Sequence, residues 1–211
     1  MRALLVDYGG VMTTSIVESF AAFCAAEQLD VESFRAAVLG TARKPDSPFA
    51  KIETGAISPE EFDEAVARLL TDACGKPVAH ARLKQRMFAT VVPVQEMFDA
   101  VRTARANGVR TAVVSNSWGG RDYPLDELSS TFDSIVISGE IGLRKPEPEI
   151  YLHSARSLDV EPRDCVFVDD FRVNIEGAEA VGMTGVLHKD PAETIGRLED
   201  RFGMSLHGVA R

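Results

Sequence analysis

Short apolar runs alternate with helical patterns along much of the chain. Runs rich in β-branched and other apolar residues predict five strands, at residues 3–6, 110–115, 134–138, 165–168 and 184–187. Apolar positions at helical spacing predict helices near the later strands, at residues 94–107, 146–158 and 173–181. Strands that alternate with helices favour a parallel sheet with right-handed crossovers. The pattern therefore predicts an α/β fold.

About a hundred residues between the first two strands carry no strand signal and are helical in pattern. Apolar residues at helical spacing predict a helix at residues 15–27, and further helix is expected at 79–88. The segment SPEE at residues 58–61 is typical of a helix start, with a serine cap, a proline at the first position and a capping-box glutamate. The helix that it begins carries an apolar stripe to Leu70, and a breaker at residues 45–48 separates it from the preceding helix.

These helices predict a helical module over residues 14–91, inserted into a core formed by residues 1–13 and 92–211. The alternative is that the same helices simply pack on the sheet. The length of 211 residues fits either a single domain or a core domain with a small insertion.

Composition narrows the possible partners and the compartment. A net charge of −9 argues against binding to bulk nucleic acid or to an anionic membrane, but it leaves room for a basic pocket that holds an anionic substrate. The chain has three cysteines and no C-x-x-C pair, so we interpret them as reduced thiols. We find no secretion signal and no apolar run long enough to span a bilayer. We therefore expect a cytoplasmic protein.

Polar and charged side chains follow the predicted strands in four short motifs. Residues 7–11 read DYGGV, residues 113–116 read VVSN, residues 142–151 read GLRKPEPEIY, and residues 166–170 read VFVDD. The side chains that carry chemistry in these motifs are Asp7, Ser115, Asn116, Lys145, Asp169 and Asp170. Ligands of open α/β sheets bind at the carboxyl ends of the strands. Adjacent carboxylates repel each other unless a cation lies between them, so the acid pair is the more informative signal.

Taken together and in this order, the four motifs resemble those of the haloacid dehalogenase-like (HAD) hydrolases, over about residues 7–182. The resemblance implies a Rossmann-like parallel-sheet core with an inserted helical-bundle cap. It also implies an Mg²⁺-dependent phosphatase that acts on a small phosphorylated metabolite through an aspartyl-phosphate intermediate at Asp7. Phosphoryl transfer needs a nucleophile, a cation and fixed donors for the equatorial oxygens, and the quoted residues supply these groups.

The resemblance assigns a role to each site residue. It implies catalytic roles for Asp7, Ser115 and Lys145. The implied contacts to the phosphorylated substrate come from Tyr8, Gly9, Ser115, Asn116 and Lys145. The implied Mg²⁺ ligands are Asp7, the backbone carbonyl of Gly9, Asp169 and Asp170. Oxygen ligands of this kind suit a hard cation such as Mg²⁺.

Three of these roles have alternatives that the sequence leaves open. Asp169 either binds the metal, directly or through water, or orients Lys145. Asn116 either contacts substrate or caps the helix that follows it. Asn174, shortly after the acid pair, either caps a helix or supports the metal ligands from behind.

Gly9 departs from the family pattern, because the family places a second aspartate, the general acid/base, at this position. Loss of a positioned acid/base costs about 10²–10⁴-fold in rate and penalises poor leaving groups most. Branches of the family with an Asp-x-Gly-Gly-Val motif are similar to anomeric sugar-phosphate phosphatases and to the phosphatase-like domain attached to epoxide hydrolases. A water, Tyr8, Thr13 or a residue of the helical module are the candidates to replace the acid, and the sequence does not choose among them.

Two other functions compete with the phosphatase. A haloacid dehalogenase works without metal, and the paired acids argue for metal. A binding or regulatory protein that has lost turnover with the second aspartate would show erosion of the other motifs as well. Asp7, Ser115, Lys145 and Asp170 are all present, which argues against erosion.

Surface and loop residues allow weaker expectations. Trp118 and Arg121, after the second motif, either contact substrate or pack as ordinary loop residues. Arg43, Lys44 and Lys51 either attract an anion or form a solvated charged face. We expect a monomer or a homodimer.

Overall fold

The computed structural model describes residues 2–42, 44–119 and 123–207. The strands are β1 Ala3–Val6, β2 Arg110–Ser115, β3 Ser134–Ile137, β4 Cys165–Asp169 and β5 Thr184–Leu187. They form one parallel sheet in the order β3-β2-β1-β4-β5. The predicted α/β fold is confirmed. Because β1 lies between β2 and β4, the loops that follow these three strands meet at the carboxyl edge of the sheet.

Eleven α-helices are found among the described residues. They are α1 Ile16–Glu27, α2 Val31–Ala42, α3 Pro48–Glu53, α4 Pro59–Cys74, α5 Leu83–Met87, α6 Gln95–Ala106, α7 Leu125–Thr131, α8 Ser138–Ile141, α9 Pro148–Ser157, α10 Arg172–Ala180 and α11 Pro191–Phe202. The start of α4 is the predicted capping box, with Ser58 and Glu61 bonded to each other's backbone. The helix expected at residues 79–88 is shorter than predicted, because Arg82 has a φ of 54° and α5 begins only after it.

Apolar side chains cover both faces of the sheet. Alternate residues of β1 point to opposite sides, so Leu4 and Val6 join one buried cluster whereas Ala3 and Leu5 join the other. The first cluster includes residues of α6 and α11, and the second includes residues of α9 and α10. Burial on both faces explains the nearly continuous apolar strands.

A third hydrophobic cluster lies among the helices between β1 and β2. It contains buried residues of α1 to α5, including Phe23, Phe34, Phe49, Phe62 and Leu83. Trp118, three residues after the end of β2, packs against this cluster from the sheet side. Within the described ranges, no helix combines the length and the hydropathy that a membrane span requires.

Candidate active site

The loop after β1 places Asp7 at the carboxyl edge of the sheet. The backbone N–H of Asp7 donates to the carbonyl of Val168 on β4 at 2.8 Å. The following residues, Tyr8–Met12, form a wide helical turn in which Gly10 has a φ of 83°. Thr13 closes this turn, because its Oγ1 accepts from the Gly10 N–H at 3.1 Å. The turn leaves the Asp7 carboxylate facing the loops after β2 and β4.

A buried lysine joins two of the predicted site carboxylates. Nζ of Lys145 lies 2.8 Å from Oδ1 of Asp7 and 2.7 Å from Oδ2 of Asp169. Burial alone would lower the pKa of Lys145, but the charges of Asp169 and Asp7 outweigh it, and the pKa is raised. The lysine is therefore a fixed cation at the nucleophile position.

Asn116 holds the backbone of Lys145. The Lys145 N–H donates to Oδ1 of Asn116 at 2.8 Å, and Nδ2 of Asn116 donates to the Lys145 carbonyl at 3.0 Å. The side chain of Asn116 thus positions the backbone of Lys145, a role that the sequence did not offer. Its contact with substrate stays a prediction.

Both carboxylate oxygens of Asp169 accept hydrogen bonds. Besides Lys145, it accepts from the backbone N–H of Phe171 at 2.8 Å and from Nδ2 of Asn174 at 3.0 and 3.1 Å. This geometry favours the alternative in which Asp169 orients Lys145. Asn174 is fixed in turn by Tyr151, whose hydroxyl donates to the Asn174 carbonyl at 2.8 Å. Asn174 thus supports the acid pair through its hydrogen bonds to Asp169.

Three carboxylates at the site can share one cation. Asp7, Asp169 and Asp170 each offer an oxygen, and these oxygens lie within 4.8 Å of one another. Burial, with the repulsion of Asp169, raises the pKa of Asp170 to about 7. The pKa of Asp7 is also raised well above its usual value, first by burial, and Asp169 and Asp170 add to the effect although Lys145 opposes it.

Asp170 has the carboxylate that most clearly suits a cation among the described residues. Its Oδ1 is buried without a hydrogen-bond partner. Its Oδ2 lies only 2.4 Å from where a Cβ on Gly10 would stand, so the glycine lets the carboxylate approach the loop of Asp7. A hard divalent cation such as Mg²⁺ fits this set of oxygens and relieves the repulsion between them.

Ser115 and Tyr123 form a hydroxyl pair beside the nucleophile. Their oxygens lie 2.9 Å apart, and the ring centroids of Tyr123 and Tyr8 are 5.1 Å apart. Burial raises the pKa of Tyr123 to about 12, so its phenol is neutral and can donate. The sequence did not single out Tyr123, because a tyrosine eight residues after Ser115 has no recognisable spacing.

Trp118 packs rather than faces the site. Its indole lies 5.1–5.6 Å, between ring centroids, from four phenylalanine rings, those of Phe20, Phe49, Phe62 and Phe88. This contact favours the packing alternative. Arg121, the other candidate in this loop, and Arg43 lie outside the described residues. Lys44 and Lys51 are exposed, which fits a solvated charged face.

A buried ion pair connects α3 to the loop that carries Lys145. Oε2 of Glu53 lies 3.2 Å from Nη1 of Arg144, and both side chains are nearly buried, with exposed fractions of 12% and 13%. Burial raises the pKa of Glu53 to about 7 even though the charge of Arg144 lowers it. No sequence pattern pairs an acid on a helix with an arginine ninety-one positions later, so this contact was not predicted.

The site lies at the carboxyl edge of a parallel sheet. A buried lysine there joins the carboxylate after β1 to the acid pair after β4, and this arrangement defines a class of hydrolases. The chain belongs to the haloacid dehalogenase-like hydrolases, since the model of that family, described as "haloacid dehalogenase-like hydrolase", matches residues 1–182. The resemblance inferred from the motifs is confirmed.

Known proteins of several kinds are similar to this chain. The bifunctional epoxide hydrolase 2 of Rattus norvegicus is 28% identical over 174 residues, which is 75% of this chain but only 31% of that protein. The chain thus spans about a third of the length of this curated relative. The phosphatase MT3486 of Mycobacterium tuberculosis is 30% identical over 166 residues, 77% of this chain and 70% of that protein.

A solved structure of similar fold contains ligands. It is a HAD family enzyme of Bacteroides thetaiotaomicron in complex with magnesium and inorganic phosphate, 22% identical, with a TM-score of 0.60. The match covers 90% of this chain and 94% of that one. At this identity the similarity shows the fold alone.

Proposed function

We propose that the protein is an Mg²⁺-dependent phosphatase that acts on a small phosphorylated metabolite through an aspartyl-phosphate at Asp7. The observation that carries the proposal is the position of Asp7. Its Oδ1 accepts from Lys145 at 2.8 Å and from the Tyr8 N–H at 2.6 Å, beside an acid pair with an unsatisfied oxygen. Curated relatives that include MT3486 are named phosphatases, which also supports the proposal.

Asp7, Asp170 and the carbonyl of Gly9 would hold the cation directly. Asp169 would contribute through water, because other donors already engage both of its oxygens. When bound, Mg²⁺ would supply positive charge that screens the carboxylates and the phosphoryl oxygens from each other. The position of Asp170 supports this assignment most directly, because its Oδ1 is buried and has no partner among the described residues.

The chain's own residues would carry the two bond changes. In the first, a carboxylate oxygen of Asp7 attacks phosphorus, and the bond from phosphorus to the leaving oxygen breaks. In the second, water attacks phosphorus, the bond to Asp7 breaks, and inorganic phosphate leaves. Donors for the phosphoryl oxygens would be Ser115, Lys145 and the backbone N–H groups near Tyr8, Gly9 and Asn116.

Residues 14–91 would act as a cap over this site, on a core of residues 1–13 and 92–211. The separate hydrophobic cluster of α1 to α5 supports this division. A small cap that closes over the edge of the sheet would exclude bulk water and favour small substrates. This argument supports a metabolite rather than a phosphoprotein as the substrate.

The test is phosphate release from sugar, aryl, acyl and alkyl phosphates, with Mg²⁺ and with a chelator. Three proteins are compared: the wild type, Asp7→Asn, and Asp200→Asn as a control for an exposed carboxylate on α11. We expect release that requires both Mg²⁺ and Asp7 and that survives in Asp200→Asn. No release from any ester, with inorganic phosphate still bound, would support a binding or regulatory protein instead.

A further inference from the structure

Gly9 lies under the side chain of Ile16. A Cβ on residue 9 would stand 2.4 Å from Cδ1 of Ile16 and 3.4 Å from its Cγ1. The first distance is shorter than any normal carbon contact, so a side chain at residue 9 and this Ile16 conformer exclude each other. The backbone itself does not require glycine, because Gly9 has φ −76° and ψ 120°, which any residue adopts. The side chain of Ile16 therefore occupies the space that a Cβ at residue 9 would need.

The position of Ile16 is set by the start of α1. Ile16 is the first residue of that helix, directly after the cap residue Ser15, whose Oγ accepts from the Glu18 N–H at 3.3 Å. One turn later, the buried Ser19 hydroxyl donates to the carbonyl of Met87 at 2.7 Å and ties α1 to α5. Only the end of the Ile16 side chain can turn aside, and its helix stays in place.

We propose that Ile16 is a specificity-determining residue that fills the place of the missing acid with apolar surface. The inference rests on the proposed phosphatase function. The Cβ of an aspartate at residue 9, two residues beyond the nucleophile, would enter the volume of the Ile16 methyl group. The site therefore has no carboxylic acid at that place, and the leaving group departs without a proton from one.

The chemistry of the first step then favours particular esters. As the bond between phosphorus and Asp7 forms, the bond to the leaving oxygen breaks and its electron pair stays on that oxygen. The oxygen takes its proton from solvent water afterwards. Esters with leaving groups of low pKa, such as aryl and acyl phosphates, tolerate this sequence, whereas alkyl phosphates do not.

The kinetic test introduces an aspartate at residue 9, first with the Ile16 side chain in place and then with that side chain shortened to alanine. Four proteins are compared, namely the wild type, Gly9→Asp, Ile16→Ala and the double variant. For each, kcat/KM is measured on phosphate monoesters whose leaving groups span nitrophenol, phenol and simple alcohols. We expect a steep dependence on leaving-group pKa in the wild type, little gain in Gly9→Asp, and a gain of about 10²-fold on alkyl phosphates in the double variant. A gain as large in Gly9→Asp alone would overturn the proposal.

Thermal unfolding tests the contact between a side chain at residue 9 and Ile16 in the absence of substrate. Gly9→Ala should lower the melting temperature, and Ile16→Ala in the same chain should return much of the loss. Ile16→Ala alone gives the cost of shortening that side chain, so the double-variant cycle isolates the contact. A Gly9→Ala protein as stable as the wild type would refute the contact. A clear coupling in a protein that hydrolyses no ester would leave the contact standing but overturn both the specificity role and the phosphatase function.

Discussion

Gly10 permits the approach of Asp170 to the nucleophile loop, which makes it a residue for a sharp test of the metal site. A Cβ there would lie 2.4 Å from Oδ2 of Asp170, and φ is 83°. We expect Gly10→Ala to weaken Mg²⁺ binding by at least about tenfold, since Asp170 must withdraw. Isothermal titration with Mg²⁺ measures the loss.

Gly108→Ala is the matched control for the backbone strain of that change. Gly108 has a φ of 84°, but nothing lies within 4 Å of its missing Cβ. Both substitutions should cost about 1 kcal/mol or more of stability for the left-handed backbone, and only Gly10→Ala should affect Mg²⁺. Equal Mg²⁺ affinities in the two variants would contradict the proposed role of Asp170.

The Tyr123 hydroxyl should keep Ser115 turned towards the phosphoryl group. If Tyr123 donates to Ser115 across their 2.9 Å contact, the Ser115 proton is directed to the substrate. We expect Tyr123→Phe to weaken inhibition by inorganic phosphate by about 5- to 10-fold, the value of one hydrogen bond of about 1 kcal/mol. The measurement is the inhibition constant for phosphate.

A double-variant cycle separates this effect from a general loss of packing. In a Ser115→Ala background the Tyr123→Phe change should have no further effect on phosphate inhibition. Ser134→Ala, which breaks a hydroxyl pair of 2.8 Å with Ser157 away from the site, should leave phosphate inhibition unchanged. Additive losses in the cycle would mean that Tyr123 acts independently of Ser115.

The sequence identified the side chains that end strands, and it identified Lys145 through its motif, but it did not identify Tyr123 or Ile16. Asp7, Ser115 and Asp169 follow from strand positions, because parallel strands bring their carboxyl ends to one edge. Tyr123 and Ile16 come from a loop and a helix start, and their contacts depend on how those segments pack. Packing of this kind has no period in the sequence.

Among the elements, the pair of Glu53 on α3 and Arg144 should make stability depend on pH. The folded pKa of Glu53, about 7, is above the value of 4.5 that it has when exposed. Between these values the folded state binds more protons than the unfolded state, so stability falls as pH rises. We expect wild type to gain up to about 3 kcal/mol relative to Glu53→Gln when pH is lowered from about 8 to about 5.

Urea unfolding of both proteins at the two pH values measures this difference. Glu147→Gln is the control, because Glu147 lies 3.9 Å from the same arginine and its side chain is 53% exposed. An exposed pair contributes little, so this variant should follow the wild type across the pH range. Parallel pH profiles for wild type and Glu53→Gln would show that Glu53 has an ordinary pKa.

Strands were predicted better than helices in this chain. Each predicted strand agrees with the structure to within one residue, because short β-branched runs between turn signals are distinctive. Helix boundaries were less accurate, since residues 79–82 show a helical pattern but Arg82 adopts a left-handed backbone. The sequence also did not locate α2, α3, α7, α8 or α11. Their positions depend on contacts with the rest of the molecule.

For the molecule as a whole, the site carboxylates should make metal and stability interdependent. In the described part of the chain, Asp7 and Asp169 pair with the buried ammonium of Lys145, and Asp170 lies close to both carboxylates. Without Mg²⁺ the repulsion between these acids weakens the folded state. Asp170→Asn removes one charge, so the metal-free variant should be at least as stable as the metal-free wild type.

With Mg²⁺ present, the wild type should be more stable than Asp170→Asn. A cation that binds only the folded state, present at a hundred times its dissociation constant, adds about 2.7 kcal/mol of stability. For a chain of this size that corresponds to a rise of about 5–10 °C in melting temperature, which we expect for wild type but not for Asp170→Asn. Asp200→Asn, on the surface of α11, should respond to Mg²⁺ as the wild type does. Scanning calorimetry with chelator and with Mg²⁺ measures all six states. If both aspartate variants gained equally from Mg²⁺, the cation would bind elsewhere, and Asp169 would serve only to hold Lys145 at the nucleophile.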